Sequence, residues 1–334
     1  MKGNQVDTFL TGITRKTEAR LRIEDCLEGE KDFDSFKKNI REEVKRILVI
    51  DENRGWKMLG KELLSPLEGI PLSTQWYSFS GMECPCFVLG QEKAKGAVIA
   101  FTGHGHGIRN ILGGEYTDPY MHDFPLELAR KGFVVYYPEF LGFGSLRLSP
   151  DIEKGSPSSC ERLSSVLSAS GKTLLGIRVM QAQTVMKIIR KQHPELKISV
   201  MGISGGGTVA TFFAALESER LSSVVISGYA GQWEDSILSE RHCFCNYVPG
   251  MLESFTLPTV LSSVAPTPML WESGEKDTLF PAESTRKAET VVREVYRRQG
   301  RSEDFVVDAF PGGHEIHGDM AYRFIEHYSG ENKV

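Results

Sequence analysis

The run Gly202-Ile203-Ser204-Gly205-Gly206 constrains this chain more than any other stretch. It follows the short apolar segment Ile198-Ser199-Val200-Met201 and precedes the apolar stretch from Thr208 to Leu216. That order reads as strand, tight turn, helix. A serine with glycine two residues before and after it, in that setting, is a nucleophile elbow. The turn holds Ser204 in a strained backbone conformation with its hydroxyl exposed, and the flanking glycines let strand and helix pass closely. Outside that setting the same letters are a plain strand–helix turn. Inside it they imply nucleophilic acyl transfer and say where its partners should lie.

A serine hydroxyl needs a base within hydrogen-bond reach, and the base needs an orienting acid. With an elbow the expected chain order is Ser, then Asp or Glu, then His. Asp277 follows the strand-like run Pro268-Met269-Leu270-Trp271-Glu272 and lies just beyond Gly274, so it is the preferred acid; Glu272 and Glu275 are the runners-up. After the last apolar run, Phe305 to Phe310, the chain reads Pro-Gly-Gly-His, which makes His314 the preferred base over His317. The oxyanion requires two donors. The Gly205 N–H is one by the logic of the elbow. The other is expected from Gly103-His104-Gly105-His106-Gly107, with the His106 N–H preferred over Gly105 or Gly107. These glycines do not make the dinucleotide pattern, and Ser170-Gly171-Lys172-Thr173 lacks the earlier glycine and strand of a phosphate loop. Neither run is therefore read as a nucleotide-binding loop.

Along the chain, residues 14–50 read as helical, with Leu21, Ile23, Phe33, Phe36, Ile40, Val44 and Ile47 as an apolar stripe between charges. Residues 1–60 are read as an N-terminal helical arm and 61–334 as the catalytic domain. Gln75–Phe79 and Cys84–Leu89 suggest a hairpin. From Ala97 onward, apolar runs alternate with helical patterns, the signature of a mainly parallel sheet covered by helices on both faces. The stretch 228–264 breaks that rhythm. It is long and holds Trp233, Phe244, Tyr247 and Phe255, so it reads as a cap over the site, with Trp233, Tyr247 and Phe244 as expected substrate contacts.

The 334 residues are enough for one large α/β domain. A net charge of −5 gives no reason to expect a nucleic acid or an anionic membrane as partner. No apolar run is long enough to span a bilayer, and the first residues lack the apolar core of a signal peptide, so a cytoplasmic location is expected. The helical arm leaves a homodimer open. Cys84/Cys86 and Cys243/Cys245 form two C-x-C pairs. That spacing is not the two-residue gap of common zinc knuckles, so no metal is expected and the cysteines are read as packed small apolar groups.

Taken together, the chain resembles the α/β-hydrolase superfamily and, within it, the dienelactone-hydrolase and acetyl-xylan-esterase-like branch. The resemblance rests on Gly103–Gly107, Pro138-Glu139-Phe140-Leu141-Gly142-Phe143-Gly144-Ser145, the elbow at Ser204, Gly274 with Asp277, and Gly313-His314. Cys243-Phe244-Cys245-Asn246-Tyr247-Val248-Pro249-Gly250 also looks like a segment of bacterial members of that branch. It covers roughly residues 70–330 and implies an eight-stranded, mostly parallel sheet, a Ser204–His314–Asp277 triad and no cofactor. The substrate is not inherited with the fold, and the residues themselves are read as those of a hydrolase acting on a small-molecule carboxylic ester. Two departures stand out: dienelactone hydrolases proper use a cysteine nucleophile, and three glycines follow Ser204 here. A peptidase or amidase, a carbon–carbon bond hydrolase and a non-catalytic binding module are the competing readings.

Overall fold

Nine strands of alternating connection build one sheet in the computed structural model, which describes residues 5–29, 32–91, 93–105 and 119–330. The strands are β1 (Trp56–Leu67), β2 (Ile70–Phe79), β3 (Met82–Leu89), β4 (Ala97–Phe101), β5 (Val134–Pro138), β6 (Ile198–Ile203), β7 (Ser223–Ser227), β8 (Met269–Gly274) and β9 (Phe305–Phe310). Their spatial order is β1-β2-β3-β5-β4-β6-β7-β8-β9. The first three are antiparallel neighbours, β3 meets β5 antiparallel, and every pairing from β5 to β9 is parallel.

The expected count of eight is corrected to nine by β1. Its residues are mostly exposed, and its register against β2 slips twice, near Gly60 and near Pro66. An edge strand with Gly, Pro and bulges carries little apolar alternation, which is why its sequence gives a weak signal. The turns Glu68-Gly69 and Ser80-Gly81 both have positive φ at each residue, the geometry that joins tightly twisted hairpins.

Helices cover both faces. They are α1 (Gln5–Lys16), α2 (Ile23–Leu27), α3 (Phe33–Leu48), α4 (Phe124–Arg130), α5 (Ser149–Glu153), α6 (Cys160–Ala169), α7 (Leu174–Gln192), α8 (Gly205–Glu217), α9 (Met251–Ser254), α10 (Leu257–Ser262), α11 (Ala282–Arg298) and α12 (Asp319–Ser329). Alternate strand residues point to opposite faces. Ile99, Phe101, Val200, Val224 and Ile226 enter the core shared with α3, α7, α8, α10 and α11. Val98, Ala100, Met201, Ile203 and Val225 enter the core shared with α4 and α12. No helix among the described residues is long and apolar enough to cross a membrane.

The N-terminal region is three helices rather than one continuous run. Asp32 caps α3 by accepting from the Ser35 N–H, and Val49 ends it in the left-handed region at φ 57°. Phe36, Ile40, Val44 and Leu48 are buried in the main core, and the backbone N–H groups of Arg20 and Leu21 donate to Glu253 and Ser254. The sheet begins at Trp56, inside the stretch read as an arm.

Candidate active site

The elbow forms where β6 hands over to α8. Ser204 has φ 55° and ψ −120°, a conformation that side-chain-bearing residues rarely adopt. A Cβ at Gly202 would strike the backbone of Gly206, and a Cβ at Gly206 would strike the carbonyl oxygens of Phe101 and Thr102. A Cβ at Gly205 would sit 2.7 Å from the His104 ring. The glycines around the serine are therefore required by close approach, and the strained turn is held by packing on β4 and its loop. Gly205 is the first residue of α8, so its N–H has no partner within the helix.

The carboxyl ends of β8 and β9 bring Asp277 and His314 together. His314 Nδ1 lies 2.7 Å from Asp277 Oδ2. The other carboxylate oxygen of Asp277 accepts from the backbone N–H groups of Leu279 at 2.8 Å and Phe280 at 2.9 Å. The His314 ring is sandwiched between Tyr120, 5.7 Å away at an interplanar angle of 24°, and Phe280, 5.6 Å away at 22°. Its Nε2 is buried without a hydrogen-bond partner among the described residues. Gly228, at the end of β7 with φ 53°, leaves room for the ring, since a Cβ there would lie 2.9 Å from His314 Cε1.

Ser204, Gly205 and His314 line one cavity of about 420 Å³ with His104, Tyr120, Arg241, His242, Cys243, Asn246, Leu279 and Phe280. A larger cleft of about 850 Å³ lies at the β1–β2 edge and is lined by Lys61, Leu63, Gln75 and Gln192 among others. It shares no residue with the Ser204 cavity.

The runner-up residues are engaged elsewhere. His317 Nδ1 lies 2.7 Å from Asp308 Oδ2, its ring stacks on Phe310, and its hydrogen bond to Asp308 raises its pKa. Glu272 is buried, accepts from Ser227 Oγ at 2.6 Å and from the Gly318 N–H at 2.6 Å, and is pushed up to about 7 by burial. Glu275 is exposed. His106 lies outside the described residues, as does Gly107, so the second oxyanion donor remains an expectation from the sequence.

The expected substrate contacts need correction. Trp233 is 1 % exposed and packs on Phe255, with its indole N–H donating to the Tyr229 hydroxyl at 3.3 Å. It is a core residue, and it does not line the Ser204 cavity. Phe244 and Tyr247 line a separate small recess with Ser164, Leu174 and Pro249. What stretch 228–264 does present to the Ser204 cavity is Arg241, His242, Cys243 and Asn246.

Sequence reasoning also missed a convergence behind the elbow. His104, Cys160, Cys243 and Cys245 each offer one donor atom, and those atoms all lie within 4.8 Å of one another. Cys84 and Cys86, the other C-x-C pair, are buried on β3 and take no part. The two pairs look alike in sequence. Only the return of three distant segments to one point distinguishes them.

No family model matches the chain. YtaP of Bacillus subtilis (strain 168), provisionally named a hydrolase, is 27 % identical over 199 residues, 57 % of this chain. The chain spans 62 % of the length of that relative. Among solved structures, a Bacteroides fragilis protein provisionally named an acetyl xylan esterase superposes with a TM-score of 0.74 at 16 % identity, covering 93 % of this chain and 83 % of its own. A promiscuous CE15 esterase from a marine bacterial metagenome gives 0.63 at 13 % identity, covering 88 % and 91 %. A glucuronoyl esterase from Solibacter usitatus gives 0.58 at 12 % identity, covering 86 % and 91 %. With a parallel sheet of this order, an elbow between β6 and α8, and these likenesses, the chain has the α/β-hydrolase fold.

Proposed function

We propose that this protein is a serine hydrolase that cleaves a small-molecule carboxylic ester through an acyl-enzyme on Ser204. The observation that carries the reading is the His314 imidazole. Its Nδ1 side is engaged by Asp277, while its Nε2 is buried, unpartnered and in the wall of the cavity that Ser204 shares. An imidazole so arranged has a free acceptor nitrogen, and the strained Ser204, which lines the same cavity without yet forming a hydrogen bond to it, is the hydroxyl that acceptor would serve. The esterase names of the similar structures favour ester chemistry over amide or carbon–carbon cleavage, and the name of the Bacillus subtilis relative supports hydrolysis in general.

In this mechanism Ser204 Oγ attacks the carbonyl carbon as His314 Nε2 takes its proton. Asp277 holds the Nδ1–H tautomer and offsets the charge of the imidazolium. The Gly205 N–H and a donor from the loop after β4, where Gly105, His106 and Gly107 stand, receive the oxyanion. His314 gives its proton to the leaving alcohol, and water repeats the sequence on the acyl-enzyme. Residues 241–246 serve as the cover that shapes the ester's approach, and the chain takes its place in the acetyl-xylan-esterase-like branch. Fluorophosphonate labelling followed by a panel of p-nitrophenyl esters against aminoacyl anilides tests the reading. Labelling at Ser204 with ester turnover is expected; turnover of anilides alone would replace it with an amidase.

A further inference from the structure

Three segments meet beside the nucleophile through four side chains to which the acyl-transfer reading gives no chemical step. His104 stands after β4, Cys160 opens α6, and Cys243 and Cys245 belong to the covering stretch after β7. We propose that Cys160, Cys243, Cys245 and His104 form a closed site for one thiophilic divalent cation, zinc by its donor set, that clamps the covering stretch to the loop beside Ser204.

The geometry fits. His104 Nε2 lies 3.1 Å from Cys245 Sγ, Cys245 Sγ lies 3.4 Å from Cys243 Sγ, and all four donor atoms fall within 4.8 Å of one another. Tetrahedral zinc with bonds of about 2.3 Å to sulfur and about 2.0 Å to nitrogen separates its ligands by about 3.5 to 3.8 Å, inside that span. Three sulfurs with one imidazole nitrogen and no carboxylate are a soft set. They suit zinc and disfavour magnesium or calcium, which take oxygen.

Charge supplies an independent argument. Arg178 is 1 % exposed, and its partners among the described residues are a carbonyl, a thiol and a ring, with no carboxylate. Its Nε donates to the Leu141 carbonyl, its Nη2 donates to Cys160 Sγ at 3.0 Å, and its guanidinium lies 4.1 Å over the Phe143 ring. A buried cation requires a nearby anion. Three thiolates around a dication carry one net negative charge, which Arg178 neutralises. On binding, the three thiols give up their protons to solvent and no electrons move.

Four protein ligands leave no open position, so the ion would be structural and would not bind substrate. Its effect would reach the elbow by position. The His104 ring packs against Gly205, and the Tyr120 hydroxyl donates to the His104 carbonyl at 2.7 Å while its ring stacks on His314. Cys243 also lines the Ser204 cavity.

The test is metal content. The full chain, purified under reducing conditions, is reconstituted with zinc, freed of excess by gel filtration and assayed, then repeated with cobalt(II). The account expects about one equivalent of zinc per chain and, with cobalt, a thiolate-to-metal charge-transfer band and tetrahedral visible bands. Ser204→Ala and Cys26→Ser should retain the metal in full, whereas Cys160→Ser, Cys243→Ser and Cys245→Ser should each lower retention at least about tenfold. Should those three variants fail to fold, the wild-type cobalt spectrum decides. Less than about a tenth of an equivalent in the wild type, a cobalt spectrum without thiolate bands, or a disulfide among the three cysteines in the reduced protein would overturn the site. The Ser204→Ala result keeps this outcome separate from that of the hydrolase reading.

Discussion

Asp277 Oδ2 stands 2.7 Å from His314 Nδ1, with the other Asp277 oxygen fixed by two backbone N–H groups. The carboxylate is therefore anchored before it meets the ring, and the ring can hold one tautomer only while that anchor stays charged. Asp277→Asn keeps the shape and loses the acceptor. It should lower kcat on an ester by about 10³- to 10⁴-fold with little change in fold. Steady-state kinetics beside a circular-dichroism melt checks this, and a loss smaller than tenfold would deny Asp277 its role.

Gly228→Ala acts on the same pair from the other side. Its φ is 53°, and the new Cβ would lie 2.9 Å from His314 Cε1 and 3.0 Å from Nδ1. The ring must shift by a fraction of an ångström, which should cost about 10²-fold in kcat, while the left-handed backbone adds roughly 1 kcal/mol of destabilisation. The kcat of the purified variant, read with its urea midpoint, tests both. Activity within twofold of wild type would mean that the ring has room to spare.

Glu272 should give the protein a pH-dependent stability. Its pKa rises from 4.5 to about 7 because burial disfavours the charged form, against the opposing hydrogen bonds from Ser227 and Gly318. The folded state thus holds this proton more tightly than the unfolded chain. The contribution is fully present below about pH 4.5, falls as pH rises to about 7, and stays lost above. The difference corresponds to roughly 3 kcal/mol. Glu272→Gln mimics the protonated acid. Denaturation midpoints should match wild type near pH 4.5 and exceed it at pH 8; parallel curves across that range would show that Glu272 titrates normally.

Phe36 tests whether the N-terminal helices belong to the main body. It is 1 % exposed, stacks on Phe33 and sits in the core shared with α8. Phe36→Ala should cost about 3 to 5 kcal/mol, and the whole chain should unfold in one transition shifted to lower temperature. Calorimetry showing an unchanged main transition and a separate early one would make 1–60 an independent arm.

Much of this arrangement was legible because local chemistry and global role coincide. The elbow glycines announce close approach, and the apolar run Phe305–Phe310 coincides with β9. Asp277 and His314 could be named because each follows a strand on the edge where ligands bind in open α/β sheets. β1 could not, since an exposed edge strand with Gly60 and Pro66 obeys no burial pattern. Trp233 lies in the core instead of the Ser204 cavity, because a large aromatic in an irregular stretch fits a core as readily as a cavity wall. The His104–Cys160–Cys243–Cys245 convergence is invisible along the chain, because 56 residues part the first two and 83 the next, and only topology closes those gaps.

The most direct measurement is an intact-mass and peptide map of the protein after reaction with a fluorophosphonate, run beside Ser204→Ala on the same ester substrate. The account predicts a single adduct on the peptide containing Ser204, none on the variant, and a fall in kcat of at least about 10⁴-fold for Ser204→Ala. An unlabelled wild type that still turns over ester, or a variant that keeps wild-type turnover, would contradict it.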